Sequence, residues 1–286
     1  MRIILNRGVL FLLLCICVML VTVAHSEQPT ASYSGAVAYF SQASQAVPSG
    51  TDSVHEALPG KPFLRRALPY AGIFAGGAAL FALDENINDF TRDKSLHSLT
   101  TDRFFGAVED FGRVGPYLIA VPLLGAHGLI YKDKRSLRVA EELTAGLFLA
   151  QGITGSVKSA CGRLRPYESD SPYRFFKKGT SFYSGHAVTI WTFATILSKN
   201  YPRQDLGFIG VGRDIHLLPI ISYSIASMVC LQRLYSDDHW ASDVYFGALA
   251  GYSVGTLVVH FGNKLHGVSV TAFPAATAGL SVSYNF

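Results

Sequence analysis

The sequence predicts an all-α protein: a six-helix antiparallel bundle of apolar helices, followed by a short C-terminal β-hairpin. Three observations lead there. Hydrophobic residues make up 49% of the 286 positions and charged residues only 15%, a balance more apolar than an ordinary soluble domain. Six apolar stretches of helical length follow one another, near 68–84, 115–131, 139–158, 185–199, 217–232 and 243–262. Beyond them the apolar period changes to two, the signature of strands. A mean hydropathy of +0.28 agrees with a membrane protein or an unusually apolar helical one.

The elements can be justified in order. Arg2 and Arg7 precede an apolar run, Val9 to Val23, and Ala24-His25-Ser26 forms a small-x-small site. This is the pattern of a secretory signal peptide over residues 1–26. Residues 27–67 are rich in Ser, Ala, Gly and Pro and read as a loosely structured lead-in. The helical domain covers 68–262. Small residues recur in it, as in AGIFAGGAALFA and FGALAGYSVG, and such residues let helices approach closely. In the tail, 263–286, the alternation predicts a hairpin pairing 267–273 with 279–286.

Several classes are excluded early. The net charge is +4 and the basic residues are scattered among acids, so no nucleic-acid partner is expected. Cys15 and Cys17 fall in the signal peptide, and Cys161 and Cys230 are too few for a disulfide framework. No zinc pattern is present. The composition does not speak to oligomeric state.

Three clusters carry the chemistry. The first is Lys158, Arg165 and Pro166; the second Ser184, Gly185 and His186; the third Arg233, His239 and Asp243. The first ends the third predicted helix, the second opens the fourth, and the third lies between the fifth and sixth. Antiparallel packing therefore brings all three to one end of the bundle. Cations and oriented N–H groups can neutralise the charge that develops in phosphoryl transfer. Lys158 offers a compact ammonium, and Arg165 and Arg233 offer planar forks. Ser184 and Gly185 open a helix, where free N–H groups favour an anion. Asp243 follows His239 by four residues and shares its helix face if the segment is helical. It can accept the Nδ1 proton and present Nε2 for attack, which makes His239 the nucleophile and His186 the acid.

Together these residues resemble the type 2 phosphatidic acid phosphatase superfamily, which includes bacterial class A acid phosphatases and vanadium haloperoxidases. That pattern is Lys, six residues, Arg-Pro; then Pro-Ser-Gly-His; then Ser-Arg, five residues, His, three residues, Asp. Tyr183 stands where the pattern has Pro, and Gln232 where it has Ser. The resemblance implies a phosphohistidine on His239 and leaving-group protonation by His186. It implies phosphate binding by Lys158, Arg165, Ser184, Gly185 and Arg233, with no metal and no cofactor.

The expected function is a metal-independent phosphatase for phosphate esters or diphosphates of lipids. Alternatives are a soluble periplasmic acid phosphatase of broad range, a vanadium-dependent haloperoxidase, and a helical envelope protein with an idle site. Arg163 lies in the same loop as Arg165; substrate contact and simple solvation both remain open for it. Asp237 and Asp238 read as solvated loop carboxylates. The RFFKK stretch, 174–178, reads either as a lipid-headgroup grip or as a loop anchored by Phe175 and Phe176. The basic link KDKRSLR (132–138) lies at the end opposite the clusters and argues for a periplasm-facing site. An exported Glu27 followed by six crossings would put that site in the cytoplasm. Either one stretch does not cross, or the domain does not span. The expectation is an enzyme exported to the cell envelope, membrane-associated with a periplasm-facing site or soluble in the periplasm.

Overall fold

Seven α-helices occur among the described residues: α1 (Lys61–Thr91), α2 (Leu99–Glu109), α3 (Gly115–Tyr131), α4 (Lys134–Cys161), α5 (Gly185–Asn200), α6 (Leu217–Tyr235) and α7 (Ala241–Lys264). They come from a computed structural model that describes residues 61–204 and 215–264 and the paired strands 268–273 and 279–284. Side chains are described over 72–204 and 215–262. The chain divides into two units, 1–76 and 77–286. Of the first, only the opening turns of α1 are described; the bundle and its site belong to the second.

The all-α prediction holds, with one helix more than the six expected. The missed helix is α2, LTTDRFFGAVE, whose charges hid its apolar period. Its start signal is nonetheless local. The Ser98 hydroxyl accepts from the Thr101 N–H at 3.2 Å, and the Thr101 hydroxyl accepts from the Ser98 N–H at 2.9 Å. This is a capping box with Thr in the usual Glu position. Helix α1 starts at Lys61, inside the predicted lead-in, with Pro62 in the first turn, where no backbone N–H needs an acceptor. Helix α4 starts at Lys134 and absorbs most of the predicted basic link. The predicted signal peptide, 1–26, and residues 27–60 of the predicted lead-in lie outside the described residues. In the tail, β1 (Val268–Phe273) pairs antiparallel with β2 (Gly279–Tyr284), Val268 opposite Tyr284 and Phe273 opposite Gly279.

Helices α5 and α7 form the central pair. Gly247, Gly251 and Gly255 recur every fourth residue of α7 and face α5. A Cβ on Gly247 would lie 2.7 Å from the Ser184 carbonyl oxygen, one on Gly251 2.5 Å from that of Val188, and one on Gly255 3.0 Å from that of Thr192. The two backbones therefore touch, and no larger residue fits between them. Helices α3 and α4 close one side through Tyr117, Val139 and Leu143, which pack with Ile196 and Val259.

The outer faces are apolar. Leu118, Leu123, Phe148, Ile220 and Leu257 are all at least half exposed, a surface better matched to hydrocarbon than to water. Among the described residues two helices, Leu217–Tyr235 and Ala241–Gly262, are long and apolar enough to cross a membrane. The pair Leu99–Gly112 and Gly115–Tyr131, bent by 50°, would make a third if it acts as one span.

Candidate active site

The end of α4, the start of α5 and the α6–α7 turn come together, as the helix order requires. Lys158 lies in the last turn of α4, which Gly162 terminates in a left-handed conformation, φ 52°, favoured by glycine. The Lys158 ammonium reaches α5: its Nζ lies 4.0 Å from where a Gly185 Cβ would sit. Burial, reinforced by the neighbouring Arg165 charge, pulls the Lys158 pKa down to about 8.

Two arginines converge on one carboxylate. Arg165 donates from Nη1 to Asp238 Oδ1 at 3.0 Å. Arg233 Nη1 lies 3.3 Å from the other oxygen, Oδ2. Both guanidiniums thus address a group the width of a single anion. Arg233 is held from behind, its Nε donating to Gln232 Oε1 at 2.6 Å, while its Nη2 lies 3.3 Å from Glu109. Gln232, which departs from the family pattern, is therefore a brace for Arg233. Tyr183, the other departure, is buried against Ala150, Val188 and Val254. Ser184 caps α5, its hydroxyl accepting weakly from the Ala187 N–H at 3.4 Å. The N–H groups of Gly185 and His186 open the helix and have no intrahelical acceptor.

His239 sits in the turn before α7, outside the helix it was expected to share with Asp243, and is only 2% exposed. Its Nδ1 faces Asp243 Oδ2 at 3.7 Å, an ion-pair distance too long for a hydrogen bond. The ring geometry leaves Nε2 directed away from the carboxylate. Burial pushes His239 below the usual histidine range, and Asp243 opposes that shift. His186 lies across the site, its Nε2 buried without a hydrogen-bond partner. Burial first, then the charges of Arg233 and His239, push it down to about 3, while Glu109 pulls the other way. Both imidazoles are thus held neutral by their surroundings, which suits a nucleophile and leaves an acid in need of a proton.

Asp243 is gripped from several sides. Its Oδ1 accepts from Arg163 Nη1 at 2.5 Å. Its Oδ2 accepts from the Ser181 hydroxyl and from the Trp240 N–H, the latter at 3.1 Å. Arg163 corrects the sequence reading. It is neither solvated nor open to a substrate, being 0% exposed, with its guanidinium committed to Asp84, Ser242, Asp243 and the Pro172 carbonyl. Phe81, Phe175 and Trp240 surround it, with ring centroids 5.0 to 5.5 Å from Cζ. Phe175 is therefore an anchor of its loop, whereas Phe176 is 82% exposed. Asp237 is also paired rather than merely solvated: it accepts from Arg92 and Asn88. Sequence reasoning missed Asp84, Ser181 and Glu109 and undervalued Asp238. Asp84 meets Arg163 and Ser242, Ser181 meets Asp243, Glu109 meets Arg233 and Asp238 meets Arg165 from far along the chain, although Glu109 also pairs with Arg113 four residues on and Asp238 with Arg233 five residues back.

The bundle gathers two histidines, a carboxylate and three cations at one helix end, a set of groups suited to holding an anion. Residues 142–266 match the sequence model of the PAP2 superfamily. The chain is 28% identical over 211 residues to a lipid A 1-phosphatase of Porphyromonas gingivalis, an alignment covering 71% of this chain. The chain spans only 40% of that relative's length. Two solved structures are similar. One is a transmembrane PAP2-type phosphatidylglycerolphosphate phosphatase from Bacillus subtilis, with TM-score 0.48 and 21% identity, covering 68% of this chain and 96% of that one. The other is LpxE of Aquifex aeolicus, with TM-score 0.42 and 22% identity, covering 63% and 93%.

Proposed function

We propose that this protein is a membrane-associated phosphatase that removes phosphate from a lipid by way of a phosphohistidine. The observation that carries the reading is the convergence of Arg165 and Arg233 on one carboxylate, beside a histidine backed by Asp243. The same forks suit two oxygens of a phosphate. Lys158 and the N–H groups opening α5 supply further positive potential.

In the first step Nε2 of His239 attacks phosphorus, and the bond from phosphorus to the ester oxygen breaks. The Nδ1 proton stays on the ring, facing Asp243, which stabilises the positive charge that develops. His186 gives its proton to the leaving oxygen. An incoming phosphate brings negative charge that offsets the push of Arg233 and draws that proton onto His186. In the second step His186 takes a proton from water, the water oxygen bonds to phosphorus, the phosphorus–nitrogen bond breaks, and His239 is regenerated.

A lipid substrate is supported by the exposed apolar helix faces and by the name of the Porphyromonas relative. The basic residues Lys132, Lys134, Arg135 and Arg138, at the far end from the site, support export with the site on the periplasmic side. Purified in detergent, the protein should release phosphate from at least one of phosphatidate, phosphatidylglycerophosphate, isoprenyl diphosphate or lipid A. It should do so with a chelator present, and vanadate should inhibit it. A protein active only on soluble esters and extracted without detergent would favour a periplasmic acid phosphatase. No phosphate release from any of them would overturn the reading.

The shifted Lys158 gives a pH prediction. The ammonium is charged below about 8 and loses its charge above it. The kcat/KM profile, which reports the free enzyme, should therefore fall as pH rises through that value. In Lys158→Arg, whose charge persists, the fall should move to higher pH.

A further inference from the structure

Behind the proposed nucleophile lies a buried chain of charges that begins outside the matched segment. Asp84, on α1, is 0% exposed. Its Oδ1 accepts from the Ser242 N–H at 2.8 Å. Its Oδ2 accepts from the Ser242 hydroxyl at 2.6 Å and from Arg163 Nη2 at 2.7 Å. Arg163 Nη1 in turn donates to Ser242 Oγ at 2.8 Å and to Asp243 Oδ1 at 2.5 Å. Asp84 therefore holds the residue next to Asp243 directly, and Asp243 itself through one guanidinium.

The charge count adds a second role. Arg163 paired with Asp243 alone would be neutral and would offer little to a developing imidazolium. Burial pushes the Asp84 carboxyl up, and the hydrogen bonds from Ser242 and Arg163 pull it back down; with Asp84 ionised, two carboxylates sharing one guanidinium leave a single net negative charge. The other charged and titratable groups that face His239 are Lys158 from α4, Arg165 from the following loop and His186 from α5. The two cations among them oppose positive charge on the ring. Asp238 and Glu109 are engaged by Arg165 and Arg233, and Asp84 adds negative charge from behind Asp243.

Resting on the phosphohistidine reading above, we propose that Asp84 is a positioning residue of the reaction, orienting Asp243 through Arg163 and Ser242 and supplying the negative charge that balances His239 when it is phosphorylated.

The test compares the full chain in detergent with Asp84→Asn, using the lipid phosphate that the wild type turns over best. The expected result is a folded variant whose kcat falls roughly tenfold to a hundredfold, as expected for a shift of a reacting group from its productive geometry, with KM within about twofold. Removing negative charge near His239 makes its ring easier to deprotonate. The acid limb of kcat/KM should therefore move to lower pH, which loss of packing alone would not cause. A folded Asp84→Asn with wild-type kcat and an unmoved acid limb overturns the proposal. If that variant does not fold, Ser242→Ala carries the test, since it removes the oxygen shared by Asp84 and Arg163. A severalfold fall in kcat at unchanged KM supports the proposal, and wild-type kcat overturns it. Failure of the underlying reading is distinguishable: the wild type would then release no phosphate, or His239→Asn would retain turnover.

Discussion

Replacing His239 by Asn is expected to lower phosphate release by at least about ten-thousandfold, the scale seen when a covalent nucleophile is removed. The side chain is nearly enclosed and faces Asp243, so Asn keeps a polar group against the carboxylate and the fold should survive. The readout is phosphate release together with the trapped enzyme. After an alkaline quench the wild type should carry phosphate on nitrogen, and the variant none. A variant that still turns over would remove His239 from the chemistry and return the two histidines to an open assignment.

Arg163→Met should act on the fold rather than on substrate affinity. It leaves Asp84 and Asp243 buried without the guanidinium that bridges them. Removing one partner of a buried ion pair costs about 3–5 kcal/mol, because an uncompensated charge remains. Thermal unfolding in detergent should show a large drop in midpoint. Arg165→Met is the contrast. Arg165 is part-exposed and bonds Asp238 and Thr180, so that variant should fold and raise KM. If Arg163→Met instead folded normally with a raised KM, Arg163 would contact substrate after all.

The legible part of this protein was whatever repeats at helical spacing or sits within a few residues of its partner. Helix α3 runs from Gly115 to Tyr131, as its apolar run indicated. The offset of four from His239 to Asp243 placed them together. The parity of the helices brought the three clusters to one end, as Arg165 beside Asp238 demonstrates. The illegible part rests on long closures. Asp84 reaches Ser242 across 158 positions, and Ser181 reaches Asp243 across 62. Nothing near Asp84 distinguishes it from Glu85 or Asp89 in the same helix. Arg163 could not be assigned from its neighbours, because its burial is decided by three aromatic rings from separate elements. Helix α2 was hidden because a short amphipathic helix with charges lacks the continuous apolar run that revealed the others.

The glycine seam between α5 and α7 bears on how such a site could be transplanted. Ser184, Gly185 and His186 ride on one helix of that pair, and Asp243 on the other. Their spacing is set by backbones in contact, with no side chain between them to shim the gap. A designer who copied only the nine motif residues onto another bundle would inherit the wrong gauge, since an ordinary leucine-lined interface holds its helices further apart. The smallest portable unit is the seam with its two helix ends attached. The exposed apolar sides can be rewritten freely, and the three glycines cannot.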